Sequence, residues 1–138
     1  MDSFAIFKVS ASALDAQRSR MNTIASNMAN IHSTQTESGG PYKKKDVVFS
    51  TFPIDPGNPS VLEGVKMVQI VDSQDPYKKI YDPGHPDADK DGFVSMPNIN
   101  IMEEMVNMMM AVRAYEANVT TFNMSKQMFL KTLEIGRF

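Results

Sequence analysis

The sequence predicts a mainly α protein with a small β middle segment: long N- and C-terminal helices paired as a coiled coil, with short antiparallel strands or a hairpin and loops between them. Two observations carry this expectation. Near both ends of the chain, apolar residues recur in alternating steps of three and four, the signature of a helical seam. All eight prolines lie between Pro41 and Pro97, and six of the seven glycines between Gly39 and Gly92, so the helix breakers are confined to the middle. The chain divides accordingly into residues 1–34, the N-terminal helix of a helical core domain; 35–97, a Pro/Gly-rich β and loop segment; and 98–138, the C-terminal helix of the same core domain.

The first helix is expected from Ser3 to about Asn30, with Phe4, Phe7, Ala11, Leu14, Arg18, Met21, Ala25 and Met28 on one row. Ser3 offers a capping oxygen, and the small residues Ala11, Ala13, Ala16, Ala25 and Ala29 permit close approach of a second helix. Residues 31–40 are polar and read as a mobile connector. Strand-like runs follow at 45–52, 65–72, 77–81 and 92–96, each bounded by Pro, Gly or Asp. They suffice for a small antiparallel sheet or hairpin and not for a large core.

The second helix is expected over residues 98–138, with no Pro or Gly before Gly136, which sits where a C-cap belongs. Ile101, Met105, Met108, Val112, Tyr115, Val119, Phe122, Lys126, Phe129 and Leu133 form a heptad row with only Lys126 polar. A second row, Met110, Ala114, Ala117, Thr121, Met124 and Met128, lies roughly 160–200° round the helix. One partner helix can cover only one of these sides.

Composition narrows function by exclusion. A chain of 138 residues, 42% apolar and 22% charged, supports one folded domain. A net charge of -2 and a pI near 5.6 leave no footprint for nucleic acid, and the only basic cluster is Lys43-Lys44-Lys45. The absence of cysteine removes disulfides, thiolate metal sites and cysteine nucleophiles. Phe4 to Phe7 is followed by Lys8, Ser10 and Ser12, unlike a secretory signal, and no run approaches the ~20 apolar residues of a spanning helix. Export, if it occurs, is expected without a cleaved signal, and no membrane insertion is expected.

The sharpest local chemistry is Asp87-Ala88-Asp89-Lys90-Asp91-Gly92, which matches the opening of a calcium loop. Position twelve is Asn98 instead of a bidentate Glu, and Asp82-Pro83-Gly84-His85-Pro86 cannot be an entering helix. An acidic turn whose side chains bond to backbone amides is the favoured reading, and a calcium-binding interaction module using the Asp87 to Asp91 loop is the alternative. His32 and His85 are far apart, and no Gly-x-Ser-x-Gly elbow, phosphate loop or dinucleotide fingerprint is present. Glu103 and Glu104 suit the positive end of a helix dipole without any acid–base role. No enzyme, cofactor, metal or small-molecule substrate is expected. The sequons at Asn118 and Asn123 fall inside the second helix, where glycosylation acceptors are not expected.

Methionine is the informative excess, with eight of twelve between Met96 and Met128. Flexible thioethers adapt to non-identical neighbours, so the expected assembly interface comprises Leu14, Met21, Met28, Met105, Met108, Met110, Val112, Tyr115, Val119, Phe122, Met124, Met128, Phe129 and Leu133.

Several motifs resemble the flagellar axial, or rod, proteins of bacteria, and the likeness covers nearly the whole chain. They are Ser26-Asn27-Met28-Ala29-Asn30, Gly39-Gly40-Pro41-Tyr42-Lys43-Lys44, Arg113-Ala114-Tyr115-Glu116-Ala117-Asn118 and Leu130-Lys131-Thr132-Leu133-Glu134-Ile135-Gly136-Arg137. The most specific is Tyr81-Asp82-Pro83-Gly84-His85-Pro86-Asp87-Ala88-Asp89 with Asp91-Gly92. The resemblance implies a structural subunit of the basal-body proximal rod, the hollow shaft that crosses the periplasm and transmits torque for motility. It also implies export through the flagellar type III apparatus and assembly with itself and with subunits of the FlgB, FlgF, FlgG and FliE types.

Overall fold

The computed structural model describes residues 4–55, 57 and 62–136. The expected cap at Ser3 lies outside the described residues, as does Arg137 of the last motif.

Helix α1, Ala5–Ala29, is free of Pro and Gly throughout. Its end is fixed by Asn30, whose Nδ2 donates to the Ser26 carbonyl at 2.9 Å while its Oδ1 accepts from the Ser33 hydroxyl at 3.0 Å. The following residues are not a loose connector. The Tyr42 amide donates to Ser33 O, and the Thr36 amide to Gly40 O, closing a compact turn across Gly39 and Gly40, both at positive φ. Polarity alone suggested a mobile connector, whereas these backbone bonds tie the stretch together.

Strand β1, Lys45–Pro53, pairs antiparallel with β2, Glu63–Asp72, with a bulge between Val48 and Phe49. This hairpin packs on α1, where the Val65 amide donates to Ser12 Oγ at 3.1 Å. Strands β3, Lys78–Tyr81, and β4, Phe93–Met96, form a separate antiparallel hairpin with Tyr81 edge-on to Phe93 at 5.3 Å. The four expected strands are thus present as two two-stranded sheets.

Helix α2, Ile101–Ile135, begins later than the expected residue 98 because Asn100 caps it, its Oδ1 accepting from the Met102 amide at 3.1 Å. At 35 residues it runs roughly 52 Å. Gly136 is the C-cap residue, but with φ of -79° it does not take the left-handed conformation that usually selects glycine there.

The helices pair antiparallel. At one end Phe7 packs on Phe122 and Phe129, with ring centroids 5.1 and 6.3 Å apart, and Phe4 sits 5.8 Å from Phe129. At the other end Asn27 meets Glu104.

The seam is rotated from the expected row. Met108, Tyr115, Phe122 and Phe129 belong to both, but the alternating positions on the buried side are Glu104, Ala111, Asn118 and Ser125. Ile101, Met105, Val112, Lys126 and Leu133 are exposed, while Val119 is half-buried at the flank. The reason is steric and polar: Ala111 has no exposed surface and lets the backbones close up, and Glu104 has its hydrogen-bond partners on that side. On α1, Phe7, Leu14, Met21 and Met28 are half-buried, whereas Ala11, Arg18 and Ala25 are exposed. Full burial falls on Ala5, Ser10, Ala16, Thr23, Ile24 and Asn27, because α1 is shared between α2 and the β1–β2 hairpin. Among the described residues, the buried apolar set is small: Ala5, Ala16, Ile24, Tyr42, Val94, Ile99 and Ala111. No helix among them is long and apolar enough to cross a membrane.

Candidate assembly surface and the polar lock between the helices

The most fully hydrogen-bonded side chain described is Asn27, near the end of α1 and almost fully buried. Its Nδ2 donates to Glu104 Oε2 at 3.0 Å and to Lys45 O at 2.9 Å. Its Oδ1 accepts from the Lys45 amide at 2.9 Å and the Tyr42 hydroxyl at 3.1 Å. Both donors and both lone pairs of one amide are thereby used, which fixes its orientation. Glu104, equally buried, takes Lys44 Nζ on its other oxygen at 3.2 Å, and Lys44 also lies 3.8 Å from Glu103. Burial pushes the Lys44 pKa down, but the hydrogen bond it donates to Glu104 and the charges of Glu104, Asp46 and Glu103 outweigh it, so the net shift is upward. Three segments meet here: the end of α1, the residues leading into β1 and the first turn of α2.

A cleft of about 250 Å³ opens beside this lock, lined by Arg20, Ile24, Asp46, Phe49, Glu104 and Asn107 among others. Glu104 is its buried carboxylate, yet both oxygens are already engaged by Asn27 and Lys44. Its role is to hold elements together.

The acidic loop between β3 and β4 closes on its own backbone. Asp89 Oδ1 accepts from the amides of Asp91 and Phe93, each at 2.9 Å, and Asp82 Oδ1 accepts from the Gly84 amide at 3.2 Å. Asp87 is turned away to accept from the Thr34 hydroxyl at 2.7 Å, which ties the loop to the turn after α1. Among the described residues, no three His, Asp or Glu side chains are grouped to hold a metal ion. Gly92, at φ +79°, has no room for a Cβ, which would lie 2.9 Å from Tyr81 Cε2.

The residues expected to form an assembly interface fall into two groups. Leu14, Met21, Met28, Met108, Tyr115, Val119, Phe122 and Phe129 are half-buried, on or beside the faces where the two helices meet. Met105, Met110, Val112, Met124, Met128 and Leu133 are exposed on α2, and no other element packs against that helix among the described residues. The lock residues Asn27, Tyr42, Lys44 and Glu104 were missed as sites. Polar type hides such residues from apolar periodicity, although Asn27, Tyr42 and Lys44 all stood in the quoted motifs.

The chain matches the family described as flagella basal body rod protein over residues 7–35 and the one described as flagellar basal body rod FlgEFG protein C-terminal over residues 90–135. These matches cover α1 and α2, the two elements the lock joins. The chain is 45% identical to the flagellar basal-body rod protein FlgC of Salmonella typhimurium over 96% of both chains. It is 46% identical to FlgC of Escherichia coli O157:H7, again over 96% of both. The chain belongs to the FlgC family of flagellar basal-body rod proteins. FlgC of Borreliella burgdorferi is 39% identical over 98% of both chains, so the likeness spans distant bacteria. In this FlgC-family chain the motif Ser26 to Asn30 supplies the lock's central amide and the cap of α1, while Tyr42 and Lys44 supply its other arms.

Proposed function

We propose that this FlgC-family chain is a structural, non-catalytic subunit of the flagellar basal-body rod. Its α2 face packs against α-helices of neighbouring subunits to build the torque-transmitting shaft. The observation that carries this reading is the exposed apolar side of α2, with Met110, Met124 and Met128 uncovered along one side of a 35-residue helix. A soluble monomer rarely leaves such a continuous patch open. Burial of each large apolar side chain stabilises by about 1.5–3 kcal/mol, so a lattice of such helices gains what the small internal core lacks. Close-packed helix interfaces are poorly compressible, which suits a shaft under load.

The finer reading places the subunit in the proximal rod across the periplasm. It is delivered by the flagellar type III apparatus without a cleaved signal and has itself and subunits of the FlgB, FlgF, FlgG and FliE types as neighbours. Residues 1–34 and 98–138 form the packing core, and residues 35–97 brace it. The test is incorporation: basal bodies purified from cells expressing a tagged chain should contain it, and Met124→Asp with Met128→Asp should abolish incorporation while circular dichroism of the free chain is unchanged. Normal incorporation of the double variant would remove α2 from the assembly surface.

A further inference from the structure

We propose that the exposed methionine face of α2 is an oxidative modification site, at which a peroxide converts thioethers of the free subunit to sulfoxides and so blocks packing of the helix. The second half of this statement rests on the assembly reading above. Met102, Met109, Met110, Met124 and Met128 are 66%, 61%, 59%, 58% and 61% exposed, and Met105 is 46% exposed. At 100° per residue all six fall within an arc of roughly 140°. Met108 lies outside that arc, roughly 60° beyond Met105, and is half-buried towards α1. The helix therefore carries its own internal control.

The chemistry is direct. A sulfur lone pair attacks one peroxide oxygen, the O–O bond breaks, an S–O bond forms and water leaves. The thioether loses two electrons and the peroxide is reduced by two. The chain has no cysteine, so no thiolate competes for the oxidant within the same subunit. The product is polar and chiral where the starting group was apolar and flexible, and this change disrupts methionine-rich contacts. Sulfoxides are reversible through dedicated reductases, so an oxidised subunit remains recoverable until it is incorporated. Once packed, the same sulfurs are screened, so the site operates only before assembly.

The experiment treats the dilute full chain with hydrogen peroxide and maps sulfoxides by peptide mass against time. Met102, Met109, Met110, Met124 and Met128 should oxidise several-fold faster than Met108, with far-UV circular dichroism unchanged. Association of the treated chain with untreated copies, followed by sedimentation, should weaken at least about tenfold, since each lost apolar contact approaches the 1.4 kcal/mol that tenfold requires. In the variant Met110→Leu, Met124→Leu, Met128→Leu, most of the association measured before peroxide should survive peroxide, the comparison being made within the variant. Equal oxidation of Met108 overturns the site. Equal peroxide sensitivity of the leucine variant overturns the blocking step. If the untreated chain does not associate at all, the assembly reading falls and takes the blocking step with it, while the mapped oxidation order stands or falls separately.

Discussion

The Asn27 amide donates to the Glu104 carboxylate at 3.0 Å across 77 positions of sequence, and this contact joins the end of α1 to the start of α2. Around it, every polar atom of the Asn27 side chain is used, and the Lys44 ammonium neutralises Glu104 from the other side.

Asn27→Asp keeps the shape but replaces the donor with an acceptor facing Glu104 and the Lys45 carbonyl. An uncompensated buried charge costs about 3–5 kcal/mol. Urea denaturation should show that loss, whereas Asn22→Asp, on the exposed side of the same helix, should stay within about 0.5 kcal/mol of the parent. Similar midpoints for the two variants would remove Asn27 from any central role.

Lys44 gives the fold an alkaline limb. Its folded pKa is raised above the ordinary lysine value of 10.5, so the folded state holds its proton more tightly than the unfolded chain. The stabilisation is complete below the unfolded pKa and is lost as pH rises through the folded one. Thermal unfolding should therefore show a steeper loss of stability above pH 10.5 in the parent than in Lys44→Met. Parallel curves would mean that the Glu104 contact adds nothing to folding.

Gly92 and Gly39 both have positive φ, but only Gly92 is crowded, with Tyr81 and Pro83 against the missing Cβ. Gly39→Ala should cost the left-handed strain alone, about 1–2 kcal/mol. Gly92→Ala should cost roughly 1–3 kcal/mol more, because Tyr81 must leave its place on Phe93. Near-ultraviolet circular dichroism of the tyrosines would report that displacement, and an unchanged spectrum would show that the loop gives way elsewhere.

The rotated seam has its own contrast. Ala111→Leu pushes a large side chain into the closest approach of the helices and should cost about 1–3 kcal/mol. Val112→Ala removes an exposed side chain and should cost under about 1 kcal/mol. If Val112 proves the more sensitive, the helix faces its partner as periodicity alone suggested.

Much of the architecture was legible in the residues. The confinement of proline to Pro41 through Pro97 separated helices from strands, and the four strand-like runs all paired. The acidic loop was also read correctly as an amide-bonding turn, since Asp82 and Asp89 cap backbone N–H groups. The rotation of α2 was not legible, because large apolar side chains were taken as the buried ones. In a chain whose outer face also seeks cover, Met105 and Val112 point outward while Ala111, Asn118 and Ser125 occupy the seam. Periodicity reports the number of apolar faces but cannot say which one an internal partner takes. Glu104 was hidden for a related reason: at the start of a helix a carboxylate has a sufficient local explanation, and only the tertiary fold brings Asn27 and Lys44 to it.

The antiparallel pairing of α1 and α2 also sets an order of events. The two hairpins close locally, and each helix can nucleate on its own. The stack of Phe4 and Phe7 on Phe122 and Phe129, however, requires nearly the whole intervening chain to be looped back first. Contacts so distant in sequence form slowly and late. A chain that still lacks its last turns therefore leaves Phe4 and Phe7 without their aromatic partners, and its first helix stays open at that end until the final residues arrive.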